Sequence, residues 1–149
     1  MGINVYITYS KMKTDIVYVA MSADLIHVGH IHLLQAAAKY GEVVVGLLSN
    51  KAIESYKREP IITWEQRYRV IKEMKSVAMV VPQMTHDYTD NLLLLRPSYV
   101  VHGSDWKTGV QSTVRQKVLD VLAEWGGELI EPEYTKGIST TDIIQRCKK

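Results

Sequence analysis

Short runs of β-branched and apolar residues alternate along this chain with longer stretches in which apolar positions recur every three or four residues. Residues 16–20, 42–48, 77–81, 98–102 and 128–130 are of the first kind and predict strands. Between them the spacing predicts helices. Residues 30–40 place Ile31, Leu34 and Ala38 on one face and stop at Gly41, and residues 64–75 repeat Trp64, Tyr68, Ile71 and Met74, with Thr63 and Gln66 forming a capping box. Residues 89–95, closed by Pro97, residues 112–125, closed by Gly126-Gly127, and residues 140–146 supply three more. Strand followed by helix, five times over, predicts an α/β fold with a doubly wound, parallel, five-stranded sheet. Strands buried on both faces are near-continuously apolar, as residues 43–48 are.

Residues 15–149 read as one domain, and 149 residues that are 46% hydrophobic are enough for one sizeable core. Residues 1–14 form an N-terminal appendage: an extra edge strand, an oligomer contact or a disordered leader. The net charge of +2, from 18 basic and 16 acidic residues mixed along the chain, gives no footprint for nucleic acid or an anionic membrane surface. The longest apolar runs, 43–48 and 92–95, fall far short of the roughly 20 residues that cross a bilayer. Cys147, the single cysteine, excludes an internal disulfide framework and fits a reducing cytoplasm.

Ligands of such sheets sit beyond the carboxyl ends of the strands. There the chain carries His27-Val28-Gly29-His30, where the first strand gives way to a helix. A helix start offers unpaired N–H groups and a positive dipole end, and imidazoles add donors whose charge responds near neutral pH, so the segment is suited to phosphate. The alternative is a pair of ordinary capping histidines. Neither a G-x-G-x-x-G loop nor a P-loop is present. Further candidates along the same edge are Lys57-Arg58, Arg67 and Gly137-Ile138-Ser139-Thr140-Thr141. Each has a bland counterpart: a loop charge pair, a solvated helix residue, a plain N-cap. His102-Gly103-Ser104-Asp105-Trp106 follows the fourth strand as a turn that can wall a base pocket, or as a turn closed by a core tryptophan.

Taken together, Asp24-x-x-His27-x-Gly29-His30, Arg67 in Trp64-Glu65-Gln66-Arg67, Gly103-Ser104-Asp105-Trp106 and Gly137-Ile138-Ser139-Thr140-Thr141 resemble the HxGH nucleotidyltransferases, and within them the cytidylyltransferases. The resemblance covers nearly the whole chain and implies a Rossmann-like version of the sheet. Residues 21–27, 51–58, 102–109 and 131–137 look like the cytidylyltransferase domains related to the one often fused to phosphoenolpyruvate mutase, which serve phosphonate biosynthesis. Two positions depart from the family pattern. Ala23 stands where an aromatic residue is common, which is expected to widen the pocket floor, and Ser104-Asp105 stands where an acid pair is common.

The resemblance implies a homodimer that transfers CMP from CTP to a small phosphonate (phosphonoformate, hydroxyethylphosphonate or 2-aminoethylphosphonate), releasing pyrophosphate. It implies His27, His30, Lys57 and Arg67 as catalytic residues, the last with Ser139 and Thr140 on the β and γ phosphates. Met21, Ser22, Ala23, Asp24, Gly29, His102, Gly103, Asp105, Trp106, Gly137, Ile138, Ser139 and Thr140 would line the nucleotide. Lys57, Arg58 and Asp24 would meet the acceptor, and Mg2+ would travel on the nucleotide phosphates, with Asp24 helping to place metal or substrate. Glycerol-3-phosphate or another alditol-phosphate cytidylyltransferase, an adenylyltransferase, a non-catalytic CTP-binding module and a doubly wound domain without a nucleotide site are the alternatives.

Overall fold

The computed structural model describes residues 15–149, so the expected N-terminal appendage lies outside the described residues. At its centre β1 (Ile16–Met21) pairs in parallel with β2 (Glu42–Leu48) on one side and β4 (Tyr99–Val101) on the other. With β3 (Val77–Gln83) and β5 (Glu128–Ile130) at the edges, the order is β3-β2-β1-β4-β5, all parallel, and the direction of winding reverses between β1 and β4. The doubly wound α/β expectation is met.

Period-two alternation divides the core. Ile16, Tyr18 and Ala20 of β1 pack on one face with Ile53, Leu92, Leu95, Val118 and Leu122, while Val17, Val19 and Met21 pack on the other with Leu34, Ala37 and Ile71. The first face is covered by α2 (Asn50–Glu54), α4 (Thr89–Leu95) and α5 (Ser112–Ala123), the second by α1 (Val28–Ala38) and α3 (Trp64–Lys72). Gly46 leaves a gap in β2 that the Tyr18 hydroxyl fills, donating to Gln83 Oε1 at 2.6 Å and accepting from Asn91 Nδ2 at 2.9 Å. Burial accordingly pushes the Tyr18 hydroxyl far above its ordinary pKa, and it remains a donor.

Several boundaries differ from the periodic reading. The first helix begins at Val28 rather than at residue 30 and buries Leu34 and Ala37, whereas Ala38 is exposed. The third and fifth helices stop at Lys72 and Ala123, although Met74 and Trp125 just beyond them still pack against the core, and β4 covers only Tyr99–Val101. Thr63 caps α3 through the Gln66 N–H at 3.3 Å. A five-residue helix, α2, is too short to show a period; its signal is Ser49, whose hydroxyl accepts from Ala52 N at 3.1 Å. A last helix, α6 (Thr140–Cys147), follows β5. Among the described residues no helix is long and apolar enough to cross a membrane.

Candidate active site

The turn that leaves β1 is held in an unusual backbone. Ala23 and Leu25 take left-handed φ of 54° and 60°, a conformation that side chains with a Cβ disfavour by about 1 kcal/mol or more each. Asp24 between them anchors the turn: it is 2% exposed and its carboxylate accepts from Arg58 Nη1 at 2.8 Å and from the N–H groups of Ile61 and Ile62, each at 3.0 Å. Burial alone would raise its pKa, but those three donors hold it below the ordinary carboxylate value. Thr140 Oγ1 donates to the Asp24 carbonyl at 2.9 Å and so fixes the start of α6 against the same turn.

His27 follows as the N-cap of α1. Its Nδ1 accepts the N–H of Gly29 at 3.0 Å, and His30 Nδ1 in turn accepts the N–H of His27 at 3.1 Å, a reciprocal capping box made of two imidazoles. Gly29 is required here because a Cβ would sit 2.8 Å from the His27 ring. A backbone N–H can only donate, so both Nδ1 atoms are unprotonated and each neutral ring carries its proton on Nε2. Burial, then the charges of His27 and Lys57, press the His30 pKa down to about 4, and burial followed by Lys57 lowers that of His27. Two neutral Nε2–H donors are thereby locked in place, their ring centroids 4.1 Å apart.

These rings face a cleft of about 450 Å3, within the usual range for small-molecule sites. Ser139, Thr140 and Thr141 at the start of α6 line it opposite Gly29 and His30, bringing two helix N-termini to one space. Ser139 accepts from Asp142 N at 3.0 Å as the N-cap and keeps its hydroxyl proton free to donate. Lys57 runs along the wall, and desolvation and the neighbouring Arg58 lower its pKa. Met21, Ser22, His102, Gly103, Asp105 and Ile138 also line the cleft.

Other expected residues stand behind the wall. Arg67 is 1% exposed, and its guanidinium donates to the carbonyls of Ile62 (3.1 Å), Ser22 (2.6 Å) and Leu48 (2.9 Å) and to Asn50 Oδ1 (2.7 Å). It ties the ends of β1 and β2 to the loops that carry the site, four of its five N–H donors are spent there, and it does not line the cleft. Asp24 and Arg58 are engaged with one another. Ala23 is buried and Gly137 turns the chain at φ 83° outside the lining, so the smaller side chain at position 23 does not widen the cleft. Trp106 is fully buried: it stacks on His102 at 3.7 Å and donates from Nε1 to Glu131 Oε2 at 2.8 Å, while Glu131 receives Arg115 through two bonds. It backs the wall rather than facing the cleft.

All five histidines of the chain line this cleft. His32 and His86 carry no motif signal. His86 follows β3 much as His27 follows β1, stacks on Tyr56 at 3.9 Å, and is missed because one histidine in a polar loop is unremarkable by itself. His102 differs from the motif pair: its Nδ1 lies 2.7 Å from the Gly103 carbonyl, which can only accept, so its proton is on Nδ1 and Nε2 is left as an acceptor.

As to metal, no cluster of three or more His, Cys, Asp or Glu side chains of metal-holding geometry occurs among the described residues. Asp24, the expected aid to Mg2+, has both carboxylate oxygens taken by internal donors. These residues do not fit a resident ion.

The parallel sheet and the switch point beside β1 define a Rossmann-like α/β fold, with the His-x-Gly-His helix cap at its ligand edge. Residues 21–146 match the model of the cytidylyltransferase-like family, and the chain belongs to that family. It is 32% identical over 142 residues to the bifunctional protein HldE of Gluconobacter oxydans, covering 93% of this chain and 28% of that protein. It is 30% identical over 125 residues to the ethanolamine-phosphate cytidylyltransferase of Mus musculus, covering 83% of this chain and 30% of that one. The chain thus spans about a quarter to a third of the length of these relatives. In fold it is similar to a lipopolysaccharide core biosynthesis protein from Thermoplasma volcanium, with a TM-score of 0.68 at 21% identity over 84% of this chain and 99% of that one.

Proposed function

We propose that the cleft binds CTP together with a small phosphonate and transfers CMP to a phosphonate oxygen. A phosphonate oxygen attacks the α-phosphorus, the new P–O bond forms as the α–β anhydride bond breaks, and pyrophosphate leaves with that bond's electron pair. The attacking group is already anionic, so no proton has to be removed. What the protein supplies is approach of two anions and stabilisation of the charge that builds on the α-phosphate and the leaving group.

The observation that carries this reading is the pair of neutral imidazoles whose Nε2–H donors are fixed by the α1 cap, facing the start of α6 across one cleft. In this arrangement His27 and His30 donate to the α-phosphate and the bridging oxygen. Ser139, Thr140 and the α6 N-terminus receive the β and γ phosphates. Lys57 offsets repulsion between the two substrates; at close contact and an effective dielectric near 20, one unlike charge pair contributes on the order of 4 kcal/mol. Asp24, Arg58 and Arg67 act as positioning residues that hold the Lys57 loop and the strand ends.

A pyrophosphate-release screen with CTP against 2-aminoethylphosphonate, hydroxyethylphosphonate, phosphonoformate and glycerol 3-phosphate tests the proposal. Release with a phosphonate at least about tenfold faster than with glycerol 3-phosphate supports it. Release with glycerol 3-phosphate alone assigns an alditol-phosphate acceptor instead, and binding of CTP without release for any acceptor assigns a non-catalytic module.

A further inference from the structure

Lys57 lines the cleft close to the motif histidines: burial comes first in lowering the pKa of His27 and His30, and the Lys57 charge lowers both further. Its support is slight. α2 has only five residues, and beyond it the N–H groups of Tyr56 and Lys57 both turn back to the Ile53 carbonyl, at 3.2 and 3.0 Å. A lysine stem has many rotamers, so where the ammonium dwells depends on how firmly the neighbouring residues hold the backbone. On one side, Arg58 is tied to Asp24 at 2.8 Å. On the other, Tyr56 lies half-buried against the first core face with its hydroxyl 3.4 Å from Ser22 Oγ. Its ring stacks on that of His86, centroids 3.9 Å apart and planes 4° from parallel.

The His86 side of that stack is rigid. Gln83 Nε2 donates to the Thr85 carbonyl at 3.0 Å, just before His86. Just after it, the Asp87 carboxylate accepts from the Thr89 N–H at 2.9 Å and from Lys117 Nζ at 3.0 Å, which joins the turn to α4 and α5. Burial lowers the His86 pKa from its ordinary 6.5, so near neutral pH the ring is uncharged and adds no positive charge beside Lys57. We propose that His86 is a positioning residue: by stacking on Tyr56 it anchors the loop that carries Lys57 to the rigid turn after β3, and so holds the Lys57 ammonium at the reacting phosphates.

The inference rests on the CMP-transfer reading only for what Lys57 does there. A cation helps two anions to meet only as far as it is already in place when they arrive. Arg58 fixes one flank of Lys57, and the stack fixes the other. The stack uses the face of the His86 ring and not its nitrogens, so phenylalanine can reproduce it. A histidine that met substrate through a nitrogen could not be replaced in that way.

Pyrophosphate release at saturating CTP, with the fastest of the acceptors named above, tests the proposal. His86→Ala should lower kcat/KM for the acceptor about tenfold, the upper end of what one aromatic pair contributes, and leave KM for CTP within about twofold. His86→Phe should return kcat/KM to within about threefold of wild type. In a Lys57→Ala background, His86→Ala should cost no more than about twofold further, because its effect passes through Lys57. Failure of phenylalanine to rescue, or the full loss repeated in the Lys57→Ala background, overturns the proposal and places His86 on the substrate itself. Trypsin cleavage after Lys57 and Arg58 reads the anchor without turnover. It should run at least about fivefold faster in His86→Ala than in wild type or His86→Phe, at thermal midpoints within a few degrees of one another. Equal cleavage in all three overturns the anchor and leaves CMP transfer standing. Tyr56→Leu removes the same stack from the other side and takes the place of His86→Ala if that variant does not fold. Absence of release by wild type overturns the CMP-transfer reading instead, and the anchor then stands or falls on the cleavage rates.

Discussion

His30 Nδ1 accepts the backbone N–H of His27 at 3.1 Å, and so the proton of the His30 ring has to reside on Nε2. The motif histidines are therefore fixed in tautomer before any ligand arrives, by the same bonds that cap the helix. Substitutions at position 30 separate the two jobs. His30→Asn keeps an acceptor at the Nδ1 position and should retain the thermal midpoint to within a few degrees while lowering turnover by at least about 100-fold. His30→Gln, which restores an N–H near the Nε2 position, should recover part of the turnover. Equal activity in the two variants would contradict the donor role.

Tautomers can be measured directly by long-range proton–nitrogen correlation spectra of the imidazole rings. His27 and His30 are expected as Nε2–H forms and His102 as the Nδ1–H form, in the same unliganded sample. One common tautomer for all three would refute the assignment.

The depressed His30 pKa carries a pH dependence whose direction follows from linkage. The unfolded ring binds a proton near its ordinary 6.5 and the folded ring only near 4, so between these values the unfolded state binds more protons. Stability from this group is complete above about pH 6.5 and is lost as pH falls toward about 4. His30→Gln should flatten the fall of the denaturation midpoint between pH 6.5 and 5, the part of this window nearest neutrality.

Arg67 shows how far a residue's role can escape its sequence context. On a helical period next to Gln66 it looks like a solvated cation or a phosphate ligand, and the matched motif implies the latter. The carbonyls that claim it, from Ser22, Leu48 and Ile62, come from three separate segments that only the folded sheet edge brings together. Arg67→Lys, which keeps the charge but loses the planar fork, is expected to cost about 2 to 4 kcal/mol in chemical denaturation. An unchanged midpoint with a raised KM for CTP would return Arg67 to the phosphates.

The strands were legible because both faces of a parallel sheet are buried, which writes a continuous apolar run into each central strand. The His-x-Gly-His and Gly-Ile-Ser-Thr segments were legible because helix starts use few residue types. Trp106 and Ala23 were not, since burial behind a wall and burial in it leave the same local pattern. His86 lay hidden for the opposite reason: it acquires its meaning from Tyr56, a partner distant in sequence, just as the tautomer of His102, a residue the sequence did single out, is set by the Gly103 carbonyl.

Gly29 offers a test of the cap geometry alone. Gly29→Ala would drive a methyl group into the His27 ring, displacing it from the Gly29 N–H. We expect a drop in turnover of at least about tenfold with a loss of stability near 1 kcal/mol, the scale of one lost cap. A variant with wild-type turnover would show that the His27 position is not needed.

The central claim, that this cleft moves CMP from CTP onto a phosphonate, is tested most directly by phosphorus NMR of the protein with CTP and 2-aminoethylphosphonate. The account predicts paired doublets from a new phosphonate–phosphate anhydride, appearing in step with pyrophosphate and reduced at least about 100-fold by His30→Ala. Accumulation of pyrophosphate with CMP and no anhydride signal, or equal signals from wild type and His30→Ala, would contradict it.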